Sequence, residues 1–278
     1  MEDSYEQSVP QTIAQAITQV LERNSIAALA TLVEARTGVG AKLLVEETGE
    51  RHGSLGSPAL DERAASFAAT FLHSRAEART FKLAEIADEL SPHAEGRVLF
   101  ERIEPEPRLV ICGAGHVGAS LARLARFIGY RTSVIDDRAD FVARERFPDE
   151  EIELIVAADG WMDALRESIG AGRGVSVAVV TRGHNEDEEC MRAIMLTRPD
   201  YVGLIGSRRR TNIVLERLRA SGADEKRLRE VRAPVGLDIG AVSPQEVALS
   251  ILAEIVAERR GGTGLSLSGW RRKSKAEG

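Results

Sequence analysis

The chain has 278 residues, 43% of them hydrophobic and 29% charged, and a formal net charge of −6. That length suits two domains with a sizeable buried core, and the acidic balance with only short basic clusters argues against a general nucleic-acid binder. Two cysteines, Cys112 and Cys190, supply neither a disulfide framework nor a four-cysteine metal site.

In chain order, residues 1–8 read as a frayed start, too acidic and polar for a signal peptide. No apolar run reaches the ~20 residues needed to cross a bilayer, so a reduced, cytoplasmic setting without stable membrane insertion is expected. Ile13, Ile17, Val20 and Leu21 share one face of a helix from Pro10 to Arg23. Strands are predicted at 26–33 and 42–46, with a hairpin turn at 47–50 and a strand or loop at 52–56. Ser57-Pro58 opens a helix running through Leu60, Ala64, Phe67 and Phe71, and further strands are read at 80–83 and 96–103. Residues 1–103 are thus expected to form a small α+β domain. The prolines of Glu104-Pro-Glu-Pro107 mark a stiff linker, taken as 104–108.

Beyond the linker the pattern becomes β/α alternation over 109–260. Strands are predicted at 109–112, 132–136, 152–156, 176–180 and 201–205, with helices at 116–128, 161–169, 186–196 and 208–219. Ser243-Pro244-Gln245-Glu246 is a capping box with proline at N1, opening a last long helix. The expected fold class is α/β: a Rossmann-like parallel sheet with helices on both faces, beside the smaller N-terminal α+β domain. Residues 261–278, rich in Gly and Ser with a basic run at Arg271–Lys275, read as a disordered tail.

Ligands of such a sheet bind beyond the carboxyl ends of its strands, and that rule selects four loops. The first is Gly113-Ala-Gly-His-Val-Gly118, which follows an apolar strand and starts a helix. Gly113 permits the tight turn, Gly115 lets a phosphate approach, and Gly118 lets the helix pack closely. His116 lies within it, at the expected phosphate. The second loop, Asp136-Asp137-Arg138, puts a carboxylate about 20 residues past the glycines, where ribose hydroxyls are usually bound. Arg138 leaves a phosphorylated cofactor open. The third, Thr181-Arg182-Gly183-His184, forms with Asp187 a polar cluster that serves either a ligand or helix capping. The fourth is Gly206-Ser207-Arg208-Arg209-Arg210. Ser207 is a good N-cap, and arginines at a helix start oppose its dipole, so they either offset that cost with an anion or splay into solvent. Asp238, between the glycines of Pro234–Gly240, either lines the same edge or caps a turn. Cys112 and Cys190 read as small core residues. His52, His73 and His93 are scattered, without metal-ligand spacing. No serine–histidine–acid set or paired carboxylates stand out, so no catalytic residue is assigned.

These residues resemble the XdhC/CoxI family of xanthine dehydrogenase accessory proteins. The likeness is carried by Val110–Gly118, Val134–Arg138 with Arg146-Phe-Pro148, Thr181–His184 with Asp187, Tyr201–Arg209, Ala233–Gly240 and Ser243–Ala248. The first domain is similar at Ala28–Glu34, Gly40–Lys42 and Gly53–Gly56. The resemblance implies a chaperone rather than an enzyme. It would bind molybdenum cofactor (molybdopterin), hold it while a cysteine desulfurase partner assists sulfuration, and pass it to a molybdenum hydroxylase such as xanthine dehydrogenase; a homodimer is left open. The residues alone also admit an NAD(P)-dependent oxidoreductase or a nucleotide-sensing regulatory module. Two departures stand out. A family cysteine in a GGGC-L-E stretch is replaced by Ala59, and a second, in a Cys-Gly-Gly segment, falls at Ala94-Glu95-Gly96.

Overall fold

The computed structural model of the chain describes residues 12–74, 76–86 and 95–268. Pro10, His93, Ala94 and the basic run Arg271–Lys275 lie outside them. The chain divides into two compact units, one ending at Pro105 and the other starting at Glu106.

The first unit carries α1 (Ile13–Glu22), β1 (Ala27–Ala35), β2 (Lys42–Glu46), β3 (Arg51–Ser54), α2 (Pro58–His73), β4 (Ala78–Lys82), α3 (Leu83–Ile86) and β5 (Gly96–Ile103). Its five strands pair antiparallel in the order β3-β2-β1-β5-β4. Alternate residues of β1 and β2 face opposite sides, as strand geometry requires. Ala28, Ala30, Leu43 and Val45 pack with Leu60, Phe71 and Leu72 of α2, while Ala27, Leu29 and Leu44 pack with Ala16 and Val20 of α1. Each of these two helices begins at a side-chain cap. Thr12 and Gln15 close a capping box at α1, and the Ser57 hydroxyl accepts the Leu60 N–H at α2. The strand expected at 80–83 ends one residue early, because Leu83 turns inward as the fully buried start of α3.

The second unit carries β6 (Arg108–Cys112), α4 (His116–Phe127), β7 (Arg131–Asp136), a single 3-10 turn (Ala139–Phe141), β8 (Ile152–Val156), α5 (Trp161–Ile169), β9 (Val175–Val179), α6 (His184–Met195), β10 (Tyr201–Leu204), α7 (Arg208–Ala220), α8 (Glu225–Glu230) and α9 (Pro244–Arg260). All five strands run parallel, in the order β10-β9-β6-β7-β8. Both faces are covered, so the strands are apolar on both sides. Leu109, Ile111 and Val134 pack with Leu121 and Ala125 of α4 and Ile251 and Ile255 of α9. On the other face, Val110, Val177 and Leu204 pack with Leu165 of α5, Ile194 of α6 and Val214 of α7. This is the Rossmann-like α/β architecture with a smaller α+β unit.

Several details depart from the sequence expectation. Arg108, expected in the linker, is the first residue of β6. The helix expected from Glu186 begins at His184, with Gly183 as its N-cap. The polar stretch before α9 holds α8, capped by Asp224. It also holds a short stretch running parallel beside β10: Arg232 and Val235 donate to Val202 and Leu204, and Leu204 donates to Arg232. Ser243 and Glu246 form the expected capping box of α9, and Gly261 closes that helix in the left-handed conformation.

Candidate functional site at the carboxyl edge of the parallel sheet

The chain lays down β6, β7 and β8 outward on one side, then returns to place β9 and β10 on the other side of β6. The carboxyl end of β6 is therefore the switch point where such sheets take ligands. The glycine turn stands there. Gly113 has φ +113°, and a Cβ on it would meet the Val180 carbonyl oxygen at 2.6 Å. A Cβ on Gly118 would collide with the Gly113 carbonyl oxygen. Gly115 differs: its φ is −68° and a Cβ there would find nothing within 4 Å. Gly115 is the N-cap of α4 and supplies no side-chain acceptor, so the positive end of the helix has no side-chain cap. His116 is the exposed first residue of α4, and its ring makes no hydrogen bond among the described residues.

At the end of β7, Asp136 is 1% exposed and committed within the chain. It accepts the Ala114 N–H at 2.8 Å, the Arg138 N–H at 3.0 Å, and the Arg138 guanidinium at 2.8 and 2.9 Å. The expected ribose acceptor instead holds the glycine turn. Its neighbour Asp137 faces outward and takes a two-pronged bond from Arg182, at 2.6 and 2.8 Å. Because β7 and β9 flank β6, this ion pair crosses the line of β6 at its glycine turn. Arg182 also pairs with Glu186 at 2.8 Å. The guanidinium fork, as the largest cause, holds the Asp137 carboxyl down to about 2.

Arg146 is the residue that sequence reasoning left unassigned. It donates from Nη2 to the Ala114 carbonyl at 3.2 Å, its buried Nε has no acceptor, and no carboxylate pairs with it among the described residues. Its guanidinium stands 4.6 Å from the Phe141 ring, whose centroid is also 3.5 Å from Arg138. Such cation–π contact fixes a guanidinium without neutralising it. The only sequence signal was Arg146-Phe-Pro148, among the stretches of family likeness.

At the β9 and β10 ends the expected Arg182–His184–Asp187 cluster does not form. Arg182 turns to Asp137, and His184 is exposed without a hydrogen bond to its ring among the described residues. Asp187 turns inward, 0% exposed, taking the Thr181 hydroxyl at 2.6 Å and the Arg210 Nε at 2.9 Å. Burial outweighs both bonds and pushes its carboxyl up. Ser207 caps α7 by accepting the Arg210 N–H, and Gly206 adopts φ +145° beside it. Of the three arginines at this helix start, Arg210 serves Asp187, while Arg208 and Arg209 are exposed without an acid partner among the described residues. Asp238 is exposed on the loop that follows the stretch parallel to β10, hence on the same edge.

Cys112 and Cys190 are buried and free, and burial pushes the Cys190 thiol well up. Neither has the exposure of a nucleophile. Ala59, where the sequence resemblance implies a cysteine, is exposed in the first turn of α2. Among the described residues no helix is long and apolar enough to cross a membrane.

The five-stranded parallel order, with its glycine turn at the switch point, defines a protein of the Rossmann-like α/β class. Two family models match the chain: the XdhC Rossmann domain over residues 109–255, and the XdhC and CoxI family over residues 20–82. The chain belongs to the XdhC/CoxI family. It is 30% identical over 251 residues to the uncharacterized protein YqeB of Escherichia coli K12, covering 87% of this chain and 45% of YqeB. It is 34% identical to a probable xanthine dehydrogenase subunit from Bacillus subtilis 168, over 59% of this chain and 46% of the relative. The molybdenum cofactor insertion chaperone PaoD of E. coli K12 is 30% identical over 38% of this chain and 35% of PaoD. The chain thus spans less than half the length of these curated relatives. A crystal structure of a xanthine dehydrogenase from Bacillus halodurans shares the fold, with a TM-score of 0.65 at 21% identity, covering 89% of this chain and 66% of that one.

Proposed function

We propose that the chain is an accessory protein that binds molybdenum cofactor and serves its sulfuration and insertion into a xanthine dehydrogenase-type molybdenum hydroxylase. The likenesses to PaoD and to the B. subtilis xanthine dehydrogenase subunit support the maturation role. The observation that carries the binding site is the conjunction at Ala114-Gly115. An uncapped helix start, open space above Gly115 and the Arg146 guanidinium, held by a carbonyl and not by an acid, converge there. That donor set suits the phosphate of a pterin cofactor. Arg182 is a second donor, available once it leaves Asp137 and Glu186, and Arg208 and Arg209 extend the positive edge. His116, His184 and Asp238 are exposed and can meet the rest of the ligand.

The commitment of Asp136 to Ala114 and Arg138 weighs against a dinucleotide, because the usual ribose acceptor is already engaged. The sequence holds two cysteines, both buried, so sulfur would be carried by the cysteine desulfurase and not by a thiol of this chain.

The test is co-elution of the purified full chain with molybdenum cofactor released from a donor molybdoenzyme, read as pterin fluorescence after oxidation. Wild type retains the pterin, while Gly115→Val and Arg146→Ala lose it. Unchanged retention by both variants would refute this site. Insertion is tested apart: without the chain, a sulfurated hydroxylase should fail to accumulate, and undiminished activity of every such enzyme in the host would end the delivery reading.

A further inference from the structure

The first unit carries a cluster of its own. β2 ends at Glu46, the turn 47–49 follows, Glu50 leads into β3, and β3 brings His52 back. The turn is closed by Glu46 N–H to Glu50 O at 2.9 Å and Gly49 N–H to Glu46 O at 2.9 Å, with Gly49 at φ +89°. His52 is the register partner of Leu44, whose side chain packs against α1, so Leu44, Glu46 and His52 share that face of the sheet.

Glu46 is the unusual member. It is 4% exposed, and a buried carboxylate needs close compensation. Outside the cluster its carboxylate has none at hydrogen-bond distance among the described residues. Its further charged contact there is Arg23 Nη1 at 4.0 Å, on a side chain that is 55% exposed. Within the cluster, His52 Nε2 is 3.3 Å from Glu46 Oε1 and 3.6 Å from Glu50 Oε1. One ligand atom from each of the three lies within 4.8 Å of the others. Metal–ligand bonds of about 2.0–2.2 Å in tetrahedral array put ligand atoms roughly 3.3–3.6 Å apart. The two distances to the imidazole fall at that spacing.

We propose that Glu46, Glu50 and His52 form a binding site for a first-row divalent cation of the zinc type, with solvent completing the coordination. One imidazole and two carboxylates make a borderline donor set suited to such ions. A bound cation would replace the single imidazole contact that now faces the buried Glu46 carboxylate. Arg23 would be a competing cation, free to swing into solvent. The exposed Glu50 leaves the site accessible from outside.

The experiment uses the full chain without an affinity tag, stripped of metal and titrated with Co2+, then with Zn2+ against a chromophoric chelator. One equivalent of Co2+ should give the visible ligand-field band of a low-coordinate site and be displaced by Zn2+. Glu50→Gln, at an exposed position, should weaken Zn2+ binding by at least the roughly 10–100-fold that even an outer-shell partner is worth. His52→Ala should abolish the Co2+ band, and Arg23→Ala should leave binding intact or tighter. A Co2+ spectrum that stays that of the aqueous ion, or equal affinities in wild type, Glu50→Gln and His52→Ala, would overturn the proposal. Neither outcome depends on molybdenum cofactor.

Discussion

Asp137 and Asp187 both meet an arginine on one sheet edge, yet their surroundings reverse their chemistry. Asp137 is 30% exposed and its fork from Arg182 forms in water's reach, so the charged form is favoured and its carboxyl falls to about 2. Asp187, in the first turn of α6, is sealed against α7. There the loss of hydration exceeds what Thr181 and Arg210 return, so the neutral form gains and the carboxyl rises. The first pair is a surface contact, which on the proposed reading an incoming anion would exchange. The second is an anchor that holds the start of α7 in place. The same two residue types thus make an adjustable contact at the glycine turn and a fixed one beside β10.

The largest expected effect comes from breaking the anchor. Asp187→Ala leaves Arg210 partnerless beside a buried gap and should cost about 3 kcal/mol, a fall in Tm of roughly 6–12 °C by calorimetry. If Asp187→Ala melts like wild type, the anchor is not one. Next, Gly115→Ala should leave Tm unchanged, since a Cβ meets nothing there, while pterin retention drops at least tenfold. Arg182→Ala should weaken retention less, with Asp137→Asn acting oppositely by releasing Arg182; retention that falls in both would refute the exchange.

The pH dependences sharpen the contrast. Asp137, lowered from 3.8, contributes stability that is present above that value and lost as pH falls towards about 2. Asp187 is raised from 3.8, so its contribution is present below that value and lost as pH rises through the higher folded value. Asp137→Asn should flatten the acid limb of the stability curve, and Asp187→Asn the limb above it. The smallest effect is expected for Arg208→Ala: no change in Tm beyond a degree or so, with pterin retention becoming less sensitive to salt. An unaltered salt dependence would leave that arginine to solvent.

Much of the fold was legible because it was written in local chemistry. Ser57, Ser207 and Ser243 marked helix starts, and apolar strands ending in glycine or acid marked the sheet edge. Helix α8 was not legible, since six residues with one buried leucine, Leu228, show no periodicity. The stretch beside β10 escaped because it is short and contains Pro234. At the site, sequence located the loops but not the partners. Nothing in Asp136-Asp137-Arg138 says that the first aspartate turns inward and the second outward; that depends on the alternation of β7 against its neighbours. Arg146 reaches Ala114 across 32 positions of chain, a contact that only the packed sheet creates. Asp187 looks like a first-turn acid suited to the helix dipole, and its burial follows from α7 closing over it.

Asp136 has a kinetic consequence. By joining the Ala114 N–H to the Arg138 backbone and guanidinium, it ties the glycine turn and the end of β7 into one unit before any ligand arrives. A ligand's phosphate would meet a finished receptor, with no loop left to order. Association should then be one exponential phase whose rate rises linearly with ligand concentration and does not level off. In Asp136→Ala, an ordering step should precede capture, and the observed rate should saturate.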